Sequence, residues 1–414
     1  MKEDIVPPPL PRQGEGGRGD EGLVCAIVLN WNGWADTVRC LAALHRSTYA
    51  NLRVVVVDNG STDGSVEHLA PFLDGTWGEL IRSERNLGFT GGVNLGLRMA
   101  LERGADLVLL LNNDATVAPE CVATLVAALE ARPDVGLAGP RIVWRDRPNL
   151  IWSAGMSVAW ATATVHAHRD EPLDPASRSS RLDGVRVVQG LSACVLLVKR
   201  AVLEGIGPLD DRYFAYYEDF DLCLRARRAG DRSLYVGPAH AAHAGSATAN
   251  RSGGRSQSAL VNYYGARNIL LFMATHAPPA VRPLTLTVLC ARLLTAGARV
   301  LAGGLLLRRP GALARAAAIA AGILDAARGR FGARTLTPQP PLPTAGEGEQ
   351  ILTPQPLLLL DGREGAEGVV GTDADRDFSP LPRTRERAGP SNPRLGFEGP
   401  VSHGSGVRGL GGDG

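Results

Sequence analysis

The stretch that most constrains how this chain can fold is LVLLLNNDATV, residues 107–117, in which an apolar run ends directly in three polar residues. Such a run is typical of a strand buried on both faces, as in parallel sheets covered by helices. Ligands of open α/β sheets bind just beyond the carboxyl ends of such strands. Asn112, Asn113 and Asp114 are therefore candidate ligand-binding residues, and Asp114 is the first candidate for a metal or phosphate site. Taken alone, Asp114 is better explained as a helix N-cap before Pro119.

Three further strand candidates, which are an apolar run at 23–29, a second run at 53–57 and a short segment at 79–82, alternate with segments whose apolar residues recur at helical spacing. This alternation predicts an α/β fold with a mainly parallel central sheet and helices on both faces. Because parallel strands end at the same edge of a sheet, we expect Asp58, which follows the second run, to converge with Asp114 on one crevice. Taken alone, Asp58 is better explained as a turn residue that bonds its own backbone.

Bulk properties narrow the possible partners and the compartment. The net charge of +2 creates no global field that would attract nucleic acid, so we expect no nucleic-acid partner. The six cysteines are dispersed with no CxxC pair, which is typical of reduced core residues. The first twenty residues lack the apolar segment of a signal peptide. These features predict a cytoplasmic protein.

Composition divides the chain into four segments. Residues 1–22 and 334–414 are rich in Pro, Gly and charge, and the sequence LTPQP occurs twice in the second of them. Such segments bury too little apolar surface to fold, so both are predicted to be disordered tails. Residues 23–276 carry the α/β pattern, and residues 277–333 form a helical segment.

The helical segment raises the question of a membrane. Its apolar stretch 283–307 is interrupted by Arg292 and Arg299, so no charge-free run reaches the ~18 residues expected for a spanning helix. The two arginines are seven residues apart and would share one helix face. This pattern predicts an amphipathic helix lying peripherally on an anionic membrane surface. A helix packed on the α/β domain fits nearly as well.

A glycine-rich stretch opens the helix before the central strand, with Gly88, Gly91, Gly92 and Gly96. A dinucleotide fingerprint would follow the first strand with G-x-G-x-x-G spacing, and these glycines do neither. An NAD-linked enzyme is therefore disfavoured. The glycines more plausibly let the backbone approach a sugar or a diphosphate closely.

Acidic residues gather at a second predicted helix start, at Glu218, Asp219 and Asp221, just after an aromatic cluster at 213–217. Simple matching of charge to the helix dipole would explain them. Carboxylates against an apolar aromatic surface can also have a raised pKa and act as general bases. His243, beyond the last predicted strand, is either a loop histidine or a ligand that completes with Asp114 the coordination of a divalent ion.

Taken together, these motifs resemble the inverting family-2 glycosyltransferases with the GT-A fold, and most of all their rhamnosyltransferase-like branch. The resemblance covers about residues 23–270, and its motifs occur in the family's order. The matching segments are VCAIVLNWNG (24–33), VVVVDNGSTDGS (54–65), RNLGFTGGVNLG (85–96), LLLNNDATV (109–117), QGLSACVLLVKR (189–200) and YYEDFDLCLRARRAG (216–230).

The resemblance implies a nucleoside-diphosphate sugar donor, with rhamnose favoured, and a glycan or lipid-linked acceptor in cell-surface polysaccharide assembly. Asp58 would contact the nucleotide base or ribose, helped by the backbone near Asn30. Asn86 and Gly88 would complete the donor site. Asn112 and Asn113 would also face the donor, at the position of the family's Asp motif.

The resemblance also implies a metal ion and a general base. Asp114 and His243 would bind Mg²⁺ or Mn²⁺. Because Asn112 stands where the family's D-x-D motif has its first Asp, the metal dependence should be weaker than with a full motif. Asp219 would be the catalytic base, and Glu218 would support acceptor or base positioning.

The sequence alone leaves two other classes of protein open. A sugar nucleotidyltransferase would need a basic Gly-rich loop after the first strand, and residues 30–33 contain no basic residue. A non-catalytic nucleotide-sugar-binding module is disfavoured by the intact Glu218-Asp219 pair.

Overall fold

The computed structural model describes residues 22–73, 75, 77–167, 170–173, 180–245, 259–306 and 311–333. The predicted tails, 1–22 and 334–414, lie outside these residues except for Gly22. The strands are β1 (Val24–Asn30), β2 (Leu52–Asp58), β3 (Gly78–Arg82), β4 (Leu107–Asn112), β5 (Ala115–Val117), β6 (Val135–Trp144), β7 (Ile151–Ser153), β8 (Ser157–Ala159), β9 (Thr164–His166), β10 (Val185–Val188), β11 (Val195–Lys199) and β12 (Arg232–His243).

Helices follow most of the early strands, as the apolar spacing predicts. They are α1 (Trp34–His45), α2 (Ser65–Leu69), α3 (Gly88–Glu102), α4 (Cys121–Glu130), α5 (Ser180–Asp183), α6 (Arg200–Ile206), α7 (Glu218–Ala229), α8 (Ala259–His276), α9 (Arg282–Leu306) and α10 (Ala312–Ala327).

A ten-stranded mixed sheet lies at the centre, with the order β10-β12-β6-β11-β4-β1-β2-β3 and with β5 and β7 paired to β12 and β6. The half formed by β4, β1, β2 and β3 is parallel, as predicted. Antiparallel β11 joins this half to the rest, where β6 and β12 are parallel to each other. The expected α/β fold with flanking helices is confirmed, and its sheet is mixed.

Two apolar cores cover the two faces of the sheet. Alternate residues of β1 point to opposite faces, because side chains alternate along a strand. Ile27 and Leu29 join the core that includes residues of α3, α7 and α8. Ala26 and Val28 join the core that includes residues of α1 and α4. Both faces of β1 are therefore covered, which explains why its apolar run is continuous.

Helix α3 lies unusually close to β1 because it carries glycines on the contacting face. A Cβ added to Gly96 would lie 2.5 Å from the Ile27 side chain, and one added to Gly92 would lie 2.4 Å from the Leu29 side chain. Small residues at these positions let the helix begin directly above the ends of the strands. The close approach brings the N-terminus of α3 to the edge where the polar residues lie.

The helices α8, α9 and α10 pack against one another and against the α/β domain. Arg292 donates a hydrogen bond to Thr164 Oγ1 at 2.6 Å and a second one to the Thr162 carbonyl, whereas Arg299 is exposed. The two arginines thus differ in exposure, although their spacing of seven residues places their Cα atoms on one face of the helix. A helix position spans a wide arc, and the long Arg292 side chain reaches inward to backbone and hydroxyl acceptors.

By length and composition, one helix of the described residues could cross a membrane. It is α9 over Arg282–Gly304, 23 residues with a mean hydropathy of 1.5, of which the most apolar window is only 17% buried.

We expect Gly96→Ala to lower the free energy of unfolding by about 1–3 kcal/mol, because the new methyl group overlaps the Ile27 side chain. Gly205→Ala in α6 is the matched control, since its added Cβ meets no atom within 4 Å. That change should be neutral or stabilise by roughly 0.5 kcal/mol through helix propensity. Urea denaturation of both variants measures the difference, and equal midpoints would contradict the close packing of α3 on β1.

Candidate active site

The carboxyl ends of β2, β1 and β4 place three polar residues side by side. Asn30 pairs with Asp58 in the register of β1 and β2, and Leu29 pairs with Asn112 in that of β1 and β4. All three polar side chains are at most 2% exposed. The residues that sequence reasoning placed at one sheet edge do lie there.

On the β1–β2 side, the polar side chains bind one another. Asn30 Nδ2 donates to Asp58 Oδ2 at 2.9 Å, and the Ser61 amide donates to Asp58 Oδ1 at 3.0 Å. Thr37 Oγ1 donates to Asn30 Oδ1 at 2.7 Å and accepts from Asn113 Nδ2 at 3.1 Å. A hydrogen-bonded chain thus links Asp58 to Asn113, the residue before Asp114. This chain fixes the orientation of the Asp58 carboxyl group and of the Asn30 and Asn113 side-chain amides.

The turn before α3 is shaped by a residue that sequence reasoning missed. Asn59 Nδ2 donates to Asn86 Oδ1 at 3.0 Å and to the Gly88 carbonyl at 3.1 Å, and Asn59 Oδ1 accepts from the Leu87 amide at 2.9 Å. Asn86 Oδ1 also accepts from the Gly88 amide at 2.8 Å. Gly88 has a φ of 76°, a left-handed conformation that favours glycine. The position of Asn59 directly after a strand end was the signal available in the sequence.

Beyond β4, Asp114 meets His243 from the end of β12. Asp114 Oδ1 and His243 Nε2 lie 3.0 Å apart, and both side chains are buried. The contact is close, but neither atom is aligned to form a hydrogen bond. His243 Nδ1 accepts from the Gly245 amide at 2.9 Å, so Nε2 is the nitrogen that faces the carboxylate. The predicted pair is brought together.

Asn112 differs from its neighbours because both polar atoms of its buried amide lack a hydrogen-bond partner. Leaving a buried polar group unpaired costs about 1–3 kcal/mol. Asp114 Oδ1 and His243 Nε2 share this condition. Within the described residues, no group of three or more His, Cys, Asp or Glu side chains could hold a metal. Unpaired donors and acceptors therefore concentrate where the resemblance implies a ligand.

The carboxylate pair opens α7 beside the same strand ends. The backbone amide of Ala193 donates to Asp219 Oδ2 at 3.2 Å. The carbonyl of the next residue, Cys194, accepts from the backbone amide of Asn112 at 3.0 Å. Burial raises the pKa of Asp219 to about 6, although amides of Ala193 and Phe220 and the Ser192 hydroxyl act in the opposite direction. Ser192 and Ala193 were missed as site residues, although they lie in a matching segment of the sequence.

Glu218 is fully buried, and neither of its carboxylate oxygens has a hydrogen-bond partner. Burial, together with the negative charge of Asp219, raises the pKa of Glu218 well above its usual range. The two adjacent carboxyl groups thus have different environments, since only Asp219 accepts backbone amides. Such a pair can carry one proton near neutral pH.

Asp221, the third acidic residue of the cluster, is a structural carboxylate. Its Oδ1 lies 2.7 Å from His276 Nε2, and its Oδ2 accepts from Arg225 Nε at 2.7 Å. Both oxygens are therefore engaged by basic groups of α7 and α8. Charge matching explains Asp221 but does not explain Glu218 and Asp219.

Comparison with known proteins identifies the family of the chain. The model of glycosyl transferase family 2 matches residues 25–186. The chain is 32% identical over 230 residues to the N-acetylglucosaminyl-diphospho-decaprenol L-rhamnosyltransferase of Mycobacterium tuberculosis, covering 50% of this chain and 70% of that protein. The chain belongs to glycosyltransferase family 2. It is thus a glycosyltransferase with the family's GT-A fold. This assignment excludes the alternative of a sugar nucleotidyltransferase.

Other relatives carry related names. The dTDP-rhamnosyl transferase RfbF of Shigella flexneri is 25% identical over 50% of this chain and 64% of that protein. The hexosyltransferase Agl10 of Haloferax volcanii, named for low-salt glycan biosynthesis, is 30% identical over 42% of this chain and 53% of that protein.

Solved structures include the mannosyltransferase PcManGT of Pyrobaculum calidifontis in complex with GDP-Man and Mn²⁺. Its TM-score is 0.46 at 18% identity, over 74% of this chain and 87% of that one.

We expect Glu218→Gln to be more stable than the wild type at pH 8 and about equally stable at pH 4. The raised pKa of Glu218 means that folding favours the protonated form. The contribution of Glu218 to the free energy of unfolding is therefore fully present below the ordinary carboxyl pKa of about 4.3. It is lost as the pH rises through the pKa of Glu218 in the folded state.

Chemical denaturation across this pH range measures the effect, with Glu130→Gln at an exposed position as control. A stability difference that does not change with pH would contradict the buried, protonated state of Glu218.

Proposed function

We propose that this glycosyltransferase moves a sugar, with rhamnose favoured, from a nucleoside-diphosphate donor to a glycan or lipid-linked acceptor with inversion, in cell-surface polysaccharide assembly. The names of the Mycobacterium and Shigella relatives support the rhamnosyl donor, and the decaprenol in the first name supports a lipid-linked acceptor. The observation that carries the proposal is the buried Glu218-Asp219 pair, held beside the ends of β4 and β11.

For the donor, we assign the base and ribose to the β1–β2 side. Asp58 and Asn30 are held rigidly there, so a ribose hydroxyl or base N–H meets acceptors that need no rearrangement. The turn at Asn86 and Gly88 lets the backbone approach the diphosphate or the sugar. Asn112, whose amide has no partner in the protein, would bind a donor oxygen or hydroxyl, and Asn113 would keep this strand end in place.

The residues present fit a divalent ion, Mg²⁺ or Mn²⁺. Asp114 Oδ1 and His243 Nε2 are buried, lie 3.0 Å apart and form no hydrogen bond, and Mg²⁺ is often held by one or two carboxylates plus substrate phosphates and water. Such an ion would stabilise the charge on the departing diphosphate. His243 could hold the ion through Nε2 only as the tautomer that carries its proton on Nδ1. In that tautomer Nδ1 would no longer accept the hydrogen bond from the Gly245 amide.

For the transfer, Asp219 is the general base. Its carboxylate takes the proton of the acceptor hydroxyl as that oxygen attacks the anomeric carbon, while the bond from this carbon to the diphosphate breaks on the opposite side. With a pKa of about 6, Asp219 is ionised near neutral pH and still basic enough to accept a proton. Glu218, protonated beside it, removes one negative charge from the pocket and can donate a hydrogen bond to the acceptor.

Asp219→Asn should lower kcat by roughly 10²-fold or more, because the amide cannot accept the hydroxyl proton. Donor binding, measured by calorimetry, should survive because the amide keeps the size of the side chain and the donor contacts are assigned to other residues. Asp146→Asn, at an exposed position, is the control and should keep full activity. Full turnover by the Asp219 variant would remove this residue from the base role.

The whole proposal is tested by release of nucleoside diphosphate from a panel of dTDP-, UDP- and GDP-sugars, with and without a polyprenyl-diphosphate-linked acceptor sugar. We expect acceptor-dependent release, fastest with dTDP-rhamnose. Chelator and Asp114→Ala should each weaken donor affinity, and they should not be additive if Asp114 binds the ion. Donor binding without release from any donor would instead support a binding module.

We also propose that the enzyme contacts the cytoplasmic face of the membrane peripherally, through an outer apolar face on α9 and α10. The exposed residues that form this face are Pro283, Leu284, Thr287, Ala291, Leu294, Thr295, Ala298, Arg299, Ala302 and Leu306 on α9, and Leu313, Ala314, Ala317, Ala320, Leu324 and Ala327 on α10. Leu294 and Leu313 are 62% and 71% exposed. The face contains one arginine and no acidic residue.

Charge supports an anionic membrane as the partner of this face. Residues 282–333 contain eight arginines and a single acidic residue, Asp325. Asp325 accepts a hydrogen bond from Tyr263 at 2.9 Å and so points to the protein interior. Apolar burial and attraction to anionic lipid would act together.

In flotation with phosphatidylglycerol-containing vesicles, we expect the full chain to float with the vesicles. The double variant Leu294→Glu/Leu313→Glu should bind them at least about tenfold more weakly. The control is Val185→Glu, which places the same charge at an exposed valine of β10, away from the face. Equal flotation of all three proteins would contradict docking through the outer apolar face.

A further inference from the structure

The turn that leads into α7 has an unfavourable backbone. We call residues 212–217 the pre-helix turn. Phe214, Tyr216 and Tyr217 have φ values of 64°, 73° and 73°, and Tyr217 is the residue that precedes α7. Bulky residues rarely adopt this left-handed conformation, and they keep it only where surrounding contacts determine it. Something outside the turn must therefore hold it.

Asn268 of α8 provides much of this hold. Its Nδ2 lies 2.8 Å from the Tyr213 carbonyl, 2.6 Å from that of Ala215 and 3.2 Å from that of Tyr216. Its Oδ1 accepts from Arg267 Nε at 2.8 Å, which fixes the direction of the amide. Asn268 is fully buried, so water cannot replace these hydrogen bonds without opening the core.

Arg267 holds the beginning of the same turn. Its Nη2 donates to the Arg212 carbonyl at 2.9 Å and to the Tyr213 carbonyl at 2.8 Å, while Nη1 donates to the Gly332 carbonyl at 2.6 Å. The guanidinium is 1% exposed and lies against the rings of Tyr263 and Tyr264. A rigid fork of donors suits several carbonyls at once, which a lysine ammonium cannot match.

The pre-helix turn touches both halves of the candidate site. At one end it leads directly into Glu218 and Asp219. In its middle, the Phe214 carbonyl accepts the Thr90 amide at 3.2 Å, and a Cβ on Gly88 would lie 2.4 Å from the Phe214 ring. The Phe214 ring in turn stacks on Tyr264, with ring centroids 4.9 Å apart.

We propose that Arg267 and Asn268 are positioning residues that hold the pre-helix turn in its left-handed conformation and thereby place the Glu218-Asp219 pair against the donor-binding turn at Gly88. They touch no reacting atom and act through the backbone carbonyls of the turn. We call Arg267 and Asn268 the clamp. Because Arg267 also donates to the Gly332 carbonyl, the clamp connects the end of the C-terminal helical segment to the turn. The catalytic consequence rests on the proposed role of Asp219, whereas the structural one does not.

The structural consequence is tested by hydrogen exchange of the full chain. Asn268→Asp keeps the shape of the side chain but removes both donors, and Arg267→Lys keeps the charge but removes the fork. Each should speed exchange about tenfold or more in peptides covering 212–221, while peptides of β1 keep wild-type exchange. The matched control is Arg282→Lys, because the Arg282 guanidinium also donates twice to one backbone carbonyl, that of Ala277, outside the turn.

The catalytic consequence is tested by steady-state kinetics and calorimetry with the donor that the panel selects. Both clamp variants should lower kcat about tenfold or more, since small displacements of a catalytic group are costly. Donor affinity should fall less than kcat. A residue that only stabilised the fold would leave both parameters of the folded enzyme unchanged.

The outcomes separate the two hypotheses. Faster exchange in 212–221 with loss of kcat supports the proposal. Wild-type exchange in that peptide, or faster exchange with unchanged kcat in an active enzyme, overturns it. If no donor supports turnover in the wild type, the proposed function fails, and the exchange result alone then decides whether the clamp exists. If Asn268→Asp does not fold, Arg267→Lys is read by the same criteria.

Discussion

Everything in the candidate site depends on the in-register pairing of β1 with both β2 and β4. That pairing buries Asn30, Asp58 and Asn112 at one edge of the sheet. Buried polar groups must be hydrogen-bonded or they destabilise the fold. The protein meets this requirement on one side, through the chain from Asp58 to Asn113. It leaves the requirement unmet at Asn112.

Hydrogen bonding within the protein divides its buried carboxylates into two groups that residue type alone does not distinguish. Asp58 and Asp221 are buried carboxylates whose oxygens are all engaged within the protein. Glu218 and Asp114 Oδ1 are equally buried and lack hydrogen-bond partners. At about 1–3 kcal/mol for each unpaired group, such positions persist only where function requires them or where a ligand completes them.

The parallel half of the fold and most of the candidate residues could be predicted from the sequence because both follow from local patterns. Continuous apolar runs mark strands covered on both faces, and the residue after each run lies at the ligand-binding edge. Asn59 could not be ranked above its neighbours, because its role depends on a turn 27 residues away at Asn86. The mixed half of the sheet was equally hidden, since the pairing of β11 with β4 and β6 is a long-range choice.

The inward reach of the Arg292 side chain is something that helical periodicity alone does not predict. A helical wheel places a Cα, but a long side chain selects among the acceptors within its reach. Here Thr162 and Thr164 capture the guanidinium, and the exposed side of α9 is left almost wholly apolar. Large exposed apolar patches of this kind mark interaction sites on proteins, which is the basis for the proposed membrane contact.

The same helical segment is linked to the candidate active site, because the carbonyl of Gly332 near its end accepts a hydrogen bond from Arg267. Arg267 is shared between this segment and the pre-helix turn, which leads into Glu218. Through this guanidinium, the end of the C-terminal helical segment is connected to the turn that leads into the carboxylate pair. Burial lowers the pKa of Arg267, and the carbonyls and aromatic faces around its guanidinium compensate for the lost hydration of the charge. The Gly332 amide also donates to the Arg212 carbonyl at 2.8 Å, so the end of the segment and the turn are joined by a backbone hydrogen bond as well as by Arg267.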